Sequence, residues 1–195
     1  ATSALRMAET DAPARLEKGQ RVISQGLSSA KHLNNMPCRI MGFNEDKGRH
    51  IVLFTCDGQQ RLLKAENLQP LQPIDEATRK EIRATEPAYA KFEQLLQEGD
   101  LGFADFGDAE LRRVVLRLLR AGFWAENPSV MEEVAADVNL AEHPSGLQAI
   151  SLIRELEGTD DLTATLQRVG EQVNADPGLK EVFAQLKARG HDFDF

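Results

Sequence analysis

Residues suited to special chemistry are scarce in this chain. Its 195 residues include one Trp, one Tyr, two Cys and four His. Two cysteines cannot staple a fold of this length, so stability must come from an apolar core. His32, His50, His143 and His191 fall in different elements, and none has a Cys, His or acid at metal-ligand spacing. There is no Gly-x-Gly-x-x-Gly, no phosphate loop and no Gly-x-Ser-x-Gly. The adjacent acid pairs Glu132-Glu133 and Asp160-Asp161 point in different directions on a helix, so neither forms a proton-sharing dyad. The expectation is a protein that is not an enzyme, with no catalytic, cofactor-binding or metal-binding residues. No apolar run approaches the roughly 18 residues of a membrane-spanning helix, which leaves peripheral contact as the route to any membrane complex.

Charge is unevenly placed. Residues 1–75 carry ten Lys/Arg against eight Asp/Glu, and residues 76–195 carry thirteen against twenty-three, a net +2 followed by −10. The length suits two small domains, and the break in composition marks their boundary. A half this acidic repels phosphate backbones, which excludes nucleic acid as a partner of the whole molecule.

The most legible stretch runs from Met36 to Leu68. Arg39–Phe43 and Arg49–Thr55 are short runs of β-branched and aromatic residues closed by turn formers, the pattern of a β-meander. Asp57-Gly58 suits a tight hairpin with Gly58 at positive φ. Setting Phe43 opposite Arg49 puts Cys38 opposite Phe54 and makes Cys56 a diagonal neighbour at roughly 7–8 Å, too far for a good disulfide. Both thiols are expected to be reduced, with Cys38 packed as a small apolar residue.

Several of these features fall in one order: Gly19-Gln20-Arg21-Val22, Gly26-Leu27, Leu33-Asn34, Gly42-Phe43, Gly48-Arg49, Asp57-Gly58 and Leu63-Lys64-Ala65-Glu66-Asn67-Leu68. In this, residues 20–70 resemble a small SH3-like barrel module attached to many different domains in algae and other microbial eukaryotes. The resemblance implies an SH3-like antiparallel barrel and an adaptor-like role with no fixed activity. Its first strand is expected over Leu16–Ile23. The loop from Ser24 to Asn35, carrying Lys31, is a candidate binding border, but the aromatics of a methyl-lysine cage are missing.

From Asp75 the apolar period becomes that of a helix. Asp75 caps one helix, Glu86-Pro87 restarts another that ends at Gly99, and Asp108 caps a third ending at Gly122. In the third, Leu111, Val114, Val115, Leu118 and Leu119 form one stripe. Arg113, Arg117 and Arg120 lie on another face, either pairing with the chain's own acids or meeting an acidic partner. Asn127-Pro128, His143-Pro144 and Asp176-Pro177 each open a further helix, and another runs from Thr159 or Asp160 to about Asn174. The apolar faces expected of these helices include Val130 and Met131, Leu147 and Ile150, and Leu162 and Leu166. The Asn-Pro and Asp-Pro helix starts are also similar to Sti1-type chaperone-associated helical domains. That similarity implies an apolar peptide groove, here lined by residues such as Leu118, Phe123, Met131 and Ile150.

The fold expected is α+β, divided into an extended arm (1–15), an SH3-like β-barrel (16–73), an acidic bundle of short amphipathic helices (74–190) and an aromatic tail (191–195). The arm has no apolar periodicity and can gain order from a partner by burying Leu5 and Met7; the tail either folds back on the bundle or docks elsewhere, where Phe193 and Phe195 suit apolar pockets. Rich in Ser, Thr and Ala, with an Arg and no early acid, the start of the chain resembles the junction left by cleavage of a plastid transit peptide. The leading expectation is a non-catalytic structural subunit bound to other proteins, peripheral in a plastid assembly such as a photosystem and its antenna. The alternative is a co-chaperone-like peptide binder. The partner-binding candidates are Leu5, Met7, Lys31, Arg113, Arg117, Arg120, Phe193 and Phe195.

Overall fold

Alternation along Arg49–Phe54 creates the inner face of a sheet, since His50, Val52 and Phe54 are buried while Arg49 is exposed and Ile51 and Leu53 are half-buried. The computed structural model describes residues 16–54, 58–191 and 193. The strands are β1 (Arg21–Ser24), β2 (Pro37–Asn44), β3 (Arg49–Phe54), β4 (Gln60–Leu63) and β5 (Leu68–Pro70). They form one antiparallel sheet in the order β4-β3-β2-β1-β5, with the first strand between the second and the last. β4 and β5 are the two edges, so the sheet is open. Seven α-helices follow among the described residues, and the fold is α+β.

The register of the meander is partly as expected and partly not. Cys38 lies opposite Phe54, with its buried thiol 3.7 Å from the Val22 carbonyl oxygen. Nearer the turn, Phe43 faces His50 and not Arg49, because the register shifts between Ile40 and Gly42. Met41 is the extra residue of a bulge, which displaces every later pair by one position. Phe43 and His50 then meet edge to face at 5.0 Å. Gly58 adopts φ 68°, as the hairpin expectation requires, while Cys56 and Asp57 lie outside the described residues.

The long loop before β2 is pinned by side chains. Leu27 N–H donates to Asn34 Oδ1 at 2.8 Å and Asn34 Nδ2 donates to the Leu27 carbonyl at 2.9 Å. The Ser24 hydroxyl, buried, donates to the Leu33 carbonyl. β1 itself is shorter than expected, beginning at Arg21.

The helices are α1 (Glu76–Thr85), α2 (Tyr89–Glu98), α3 (Ala109–Arg120), α4 (Pro128–Ala141), α5 (Gly146–Glu157), α6 (Leu162–Ala175) and α7 (Pro177–Ala188). Their starts follow from caps read in the sequence. The Asp75 carboxylate accepts from Thr78 N–H at 2.8 Å, Asp108 from Glu110 and Leu111, and Asp176 from Gly178 and Leu179. All five residues of the α3 stripe are buried. Between α2 and α3 a 3₁₀ segment, Phe103–Gly107, drives Phe103 and Phe106 into the core against α4 and α5.

Arg21 Nε of β1 lies 3.5 Å from Glu132 Oε1 of α4. Just past α3, Gly122 at φ 98° passes so close to the linker that a Cβ there would stand 2.1 Å from the Gln72 carbonyl oxygen. Only glycine fits such a crossing.

Candidate protein-interaction surface

The three arginines of α3 have different fates. Arg113 Nε donates to Glu86 Oε2 and Arg117 Nη1 to Glu86 Oε1, both at 2.9 Å, while Arg117 Nη2 also reaches Glu81 at 2.6 Å. The Glu86 side chain is only 7% exposed. The Arg117 hydrogen bond, followed by that of Arg113, outweighs the effect of burial and holds the Glu86 carboxyl below its usual range. Two of the arginines therefore fasten α3 to the α1–α2 corner, the intramolecular outcome open in the sequence. Arg120, exposed at the end of α3, lines a cleft of about 140 Å³ with Lys31 of the long loop. Leu5, Met7 and Phe195 lie outside the described residues.

Phe193 lies against the bundle. Its ring meets Phe183 of α7 edge to face at 5.1 Å and stacks on His191 at 6.3 Å. It borders a groove of about 750 Å³ whose walls include Phe103, Ile153, Leu156, Leu162, Leu166 and Leu186. The groove comes from the way α6 is laid down. Leu162, Leu166, Val169 and Val173 form one helical stripe; Val169 and Val173 are buried, Leu166 is half-buried and Leu162 is 53% exposed. The stripe runs out of the core toward the helix start, leaving apolar side chains as an open wall.

The rim of this groove is acidic. Asp105 uses its carboxylate to accept from Gly102 N–H at 2.9 Å, and Asp100 and Glu157 make no ion pair among the described residues. Arg154, the nearby cation on α5, donates instead to the Ala104 carbonyl at 2.9 Å.

A second, polar cleft of about 490 Å³ adjoins the groove through His191, and its walls include Glu132, Glu133, Asp137 and Arg189. Asp137 of α4 is buried and lies 2.7 Å from the Arg189 guanidinium just past α7. Burial pushes its carboxyl above the ordinary range, and Arg189 and His191 pull the other way. A buried acid with a raised pKa in a cleft is a general sign of functional chemistry, but here its oxygen faces Arg189 and joins α4 to the end of α7. No group of three or more His, Cys, Asp or Glu among the described residues could hold a metal. No helix among them is long and apolar enough to cross a membrane.

Leu118, Phe123, Met131 and Ile150 are all buried, so they fill the core and line no groove. The apolar opening lies instead between α5, α6 and the 3₁₀ segment. Sequence reasoning placed Leu162 on the inner face of its helix and passed over Phe103 and Asp137. An acid within Ala135-Ala136-Asp137-Val138 was the visible signal for the last. Comparison with protein-family models, with curated proteins and with solved structures finds no match for this chain.

Proposed function

We propose that this chain is a non-catalytic protein-interaction subunit whose helical half carries the docking surface. The observation that supports the reading is the apolar groove beside α6, where Leu162 stays 53% exposed on a stripe otherwise turned inward. A contiguous run of apolar side chains lining an open groove, as Phe103, Ile153, Leu156, Leu162 and Leu166 do here, is a feature of interaction sites. The sheet, in this reading, is an SH3-like barrel that positions the bundle. Support comes from a first strand lying between the second and the fifth, and from the 3₁₀ turn Ala65–Asn67 leading into β5. The arm, with Leu5 and Met7, is proposed as a second attachment. The proposed setting is a peripheral place in a larger plastid assembly such as a photosystem with its antenna.

A photo-crosslinking residue placed at Leu162 of the full chain tests the docking surface, with the exposed Lys80 position of α1 as control. Adducts to one discrete protein from position 162, absent from position 80, are expected. Equal labelling from both positions would remove the groove from the proposal. A co-chaperone-like peptide binder uses the same groove, and differs in predicting a broad ladder of adducts.

A further inference from the structure

We infer that the partner segment seated in the α6 groove is a basic amphipathic helix, with its leucines toward the walls and its Lys or Arg side chains toward the rim. This rests on the reading of the groove as a docking surface and adds the chemistry of the occupant. The groove stands open: Phe193, its ring 5.1 Å from that of Phe183, forms part of one wall, and about 750 Å³ lies beside it. Leu156 and Leu166, half-buried, and Leu162, 53% exposed, give it apolar walls with surface still to bury.

Charge selects the occupant. Among the described residues three carboxylates, Asp100, Asp105 and Glu157, line the groove against one basic side chain, His191. Asp100 and Glu157 are exposed and make no ion pair among the described residues. The arginines of the two helical walls are committed elsewhere, Arg154 to the Ala104 carbonyl and Arg168 to Glu155. An occupant with Lys or Arg beside its apolar residues therefore gains at the rim, and an acidic one is repelled. The same balance disfavours a second copy of this chain seated groove on groove, since a symmetric contact would set the carboxylates against their own copies.

The backbone selects its shape. α5 and α6 pair their amides and carbonyls internally, and in the 3₁₀ segment Asp105 N–H and Asp108 N–H donate to the Gly102 and Asp105 carbonyls at 3.1 Å. An extended segment would find no strand edge there to pair with, and would carry its own polar groups into an apolar groove. A helix arrives with those groups already satisfied.

Fluorescence anisotropy on the full chain tests this with three labelled peptides of one length: a helix-forming Leu/Lys repeat with leucines at i, i+3, i+4 and i+7, the same repeat with Glu for Lys, and the Leu/Lys repeat broken by a central proline. The basic helix should bind the native chain, bind the double variant Asp100→Asn, Glu157→Gln about two- to tenfold more weakly, and bind Leu162→Glu about tenfold more weakly or worse. Leu162 is the exposed first residue of α6, where a Glu suits the helix start, so that variant keeps the fold. It also adds a negative charge. A basic peptide held only by the net charge of −8 would therefore bind Leu162→Glu no less tightly than the native chain, and that result overturns the inference. Equal binding of the acidic repeat overturns the assigned charge, and equal binding of the proline-broken repeat overturns the helix; in either case binding that depends on Leu162 leaves the docking surface standing. No Leu162-dependent binding of any peptide overturns the inference, and crosslinking then decides the docking reading separately: one discrete adduct from position 162 keeps it, and equal labelling from positions 162 and 80 removes it.

Discussion

Replacing Gly122 by alanine should be among the most damaging single-methyl changes in this protein, and its cost can be built from two parts. The residue sits at φ 98°, outside the range that L side chains adopt readily, which costs about 1–2 kcal/mol. The new Cβ would also stand 2.1 Å from the Gln72 carbonyl oxygen, and a backbone atom cannot step aside as a side-chain tip can. Forcing the linker away resembles overpacking, at about 1–3 kcal/mol. Together these give about 2–5 kcal/mol, or a fall in Tm of roughly 5–20 °C for a chain of this size. Gly99 provides the control, since it has φ 74° and a methyl group there would meet nothing within 4 Å, so Gly99→Ala should cost only the conformational part, about 1–2 kcal/mol. Denaturant unfolding followed by far-UV circular dichroism and by Trp124, fully buried two residues from Gly122, gives both values. Equal midpoints for the two variants would refute the close crossing of linker and helix end.

Leu118→Ala should cost about 2–5 kcal/mol by chemical denaturation, because the side chain is 1% exposed in the α3 stripe; a loss below about 1 kcal/mol would contradict its place in the core. Glu86 and Asp137 should give opposite pH dependence. The lowered Glu86 pKa supplies stability that is complete above the ordinary carboxylate range and lost as pH falls through its folded value; Glu86→Gln should remove that acid-side loss. The raised Asp137 pKa favours the fold below the ordinary Asp value and loses that advantage as pH rises through its folded value. Stability of Asp137→Asn relative to the native chain should therefore rise with pH across this interval, and a flat difference would count against the burial of the carboxylate. Deleting residues 1–15 should leave the Tm within about 1–2 °C while weakening retention in a native complex. Undiminished co-purification would remove the arm as an anchor.

Local chemistry was legible in the sequence, and long-range packing was not. Asp75, Asp108 and Asp176 declare helix starts because a cap is decided within three residues, and each accepts the amide hydrogen bonds expected of it. The α3 stripe was legible for the same reason, its five members being set by one period. Met41 was not, since a bulge is one unannounced residue that shifts the pairing between Cys38–Phe54 and Phe43–His50. Leu162 looked buried by its spacing from Leu166 and Val169, but whether a stripe stays covered depends on where α5 and α7 lie. The Asp137–Arg189 pair joins residues far apart in the chain, and no local pattern announces it. Of the candidate site, then, Phe193 could be singled out from the sequence, while the groove it borders needed the tertiary fold.

The order of the strands also sets an order of birth. The five strands among the described residues fall between Arg21 and Pro70, and β1 has both its neighbours once β5 exists, so the sheet can pair completely on a nascent chain before any of the α-helices has folded. Phe103 and Phe106 have no such independence, because the helices that cover them, α4 and α5, end only at Ala141 and Glu157. During synthesis these two rings must wait, uncovered, for chain that does not yet exist. Apolar rings left uncovered in that interval are a point at which a nascent chain is open to aggregation.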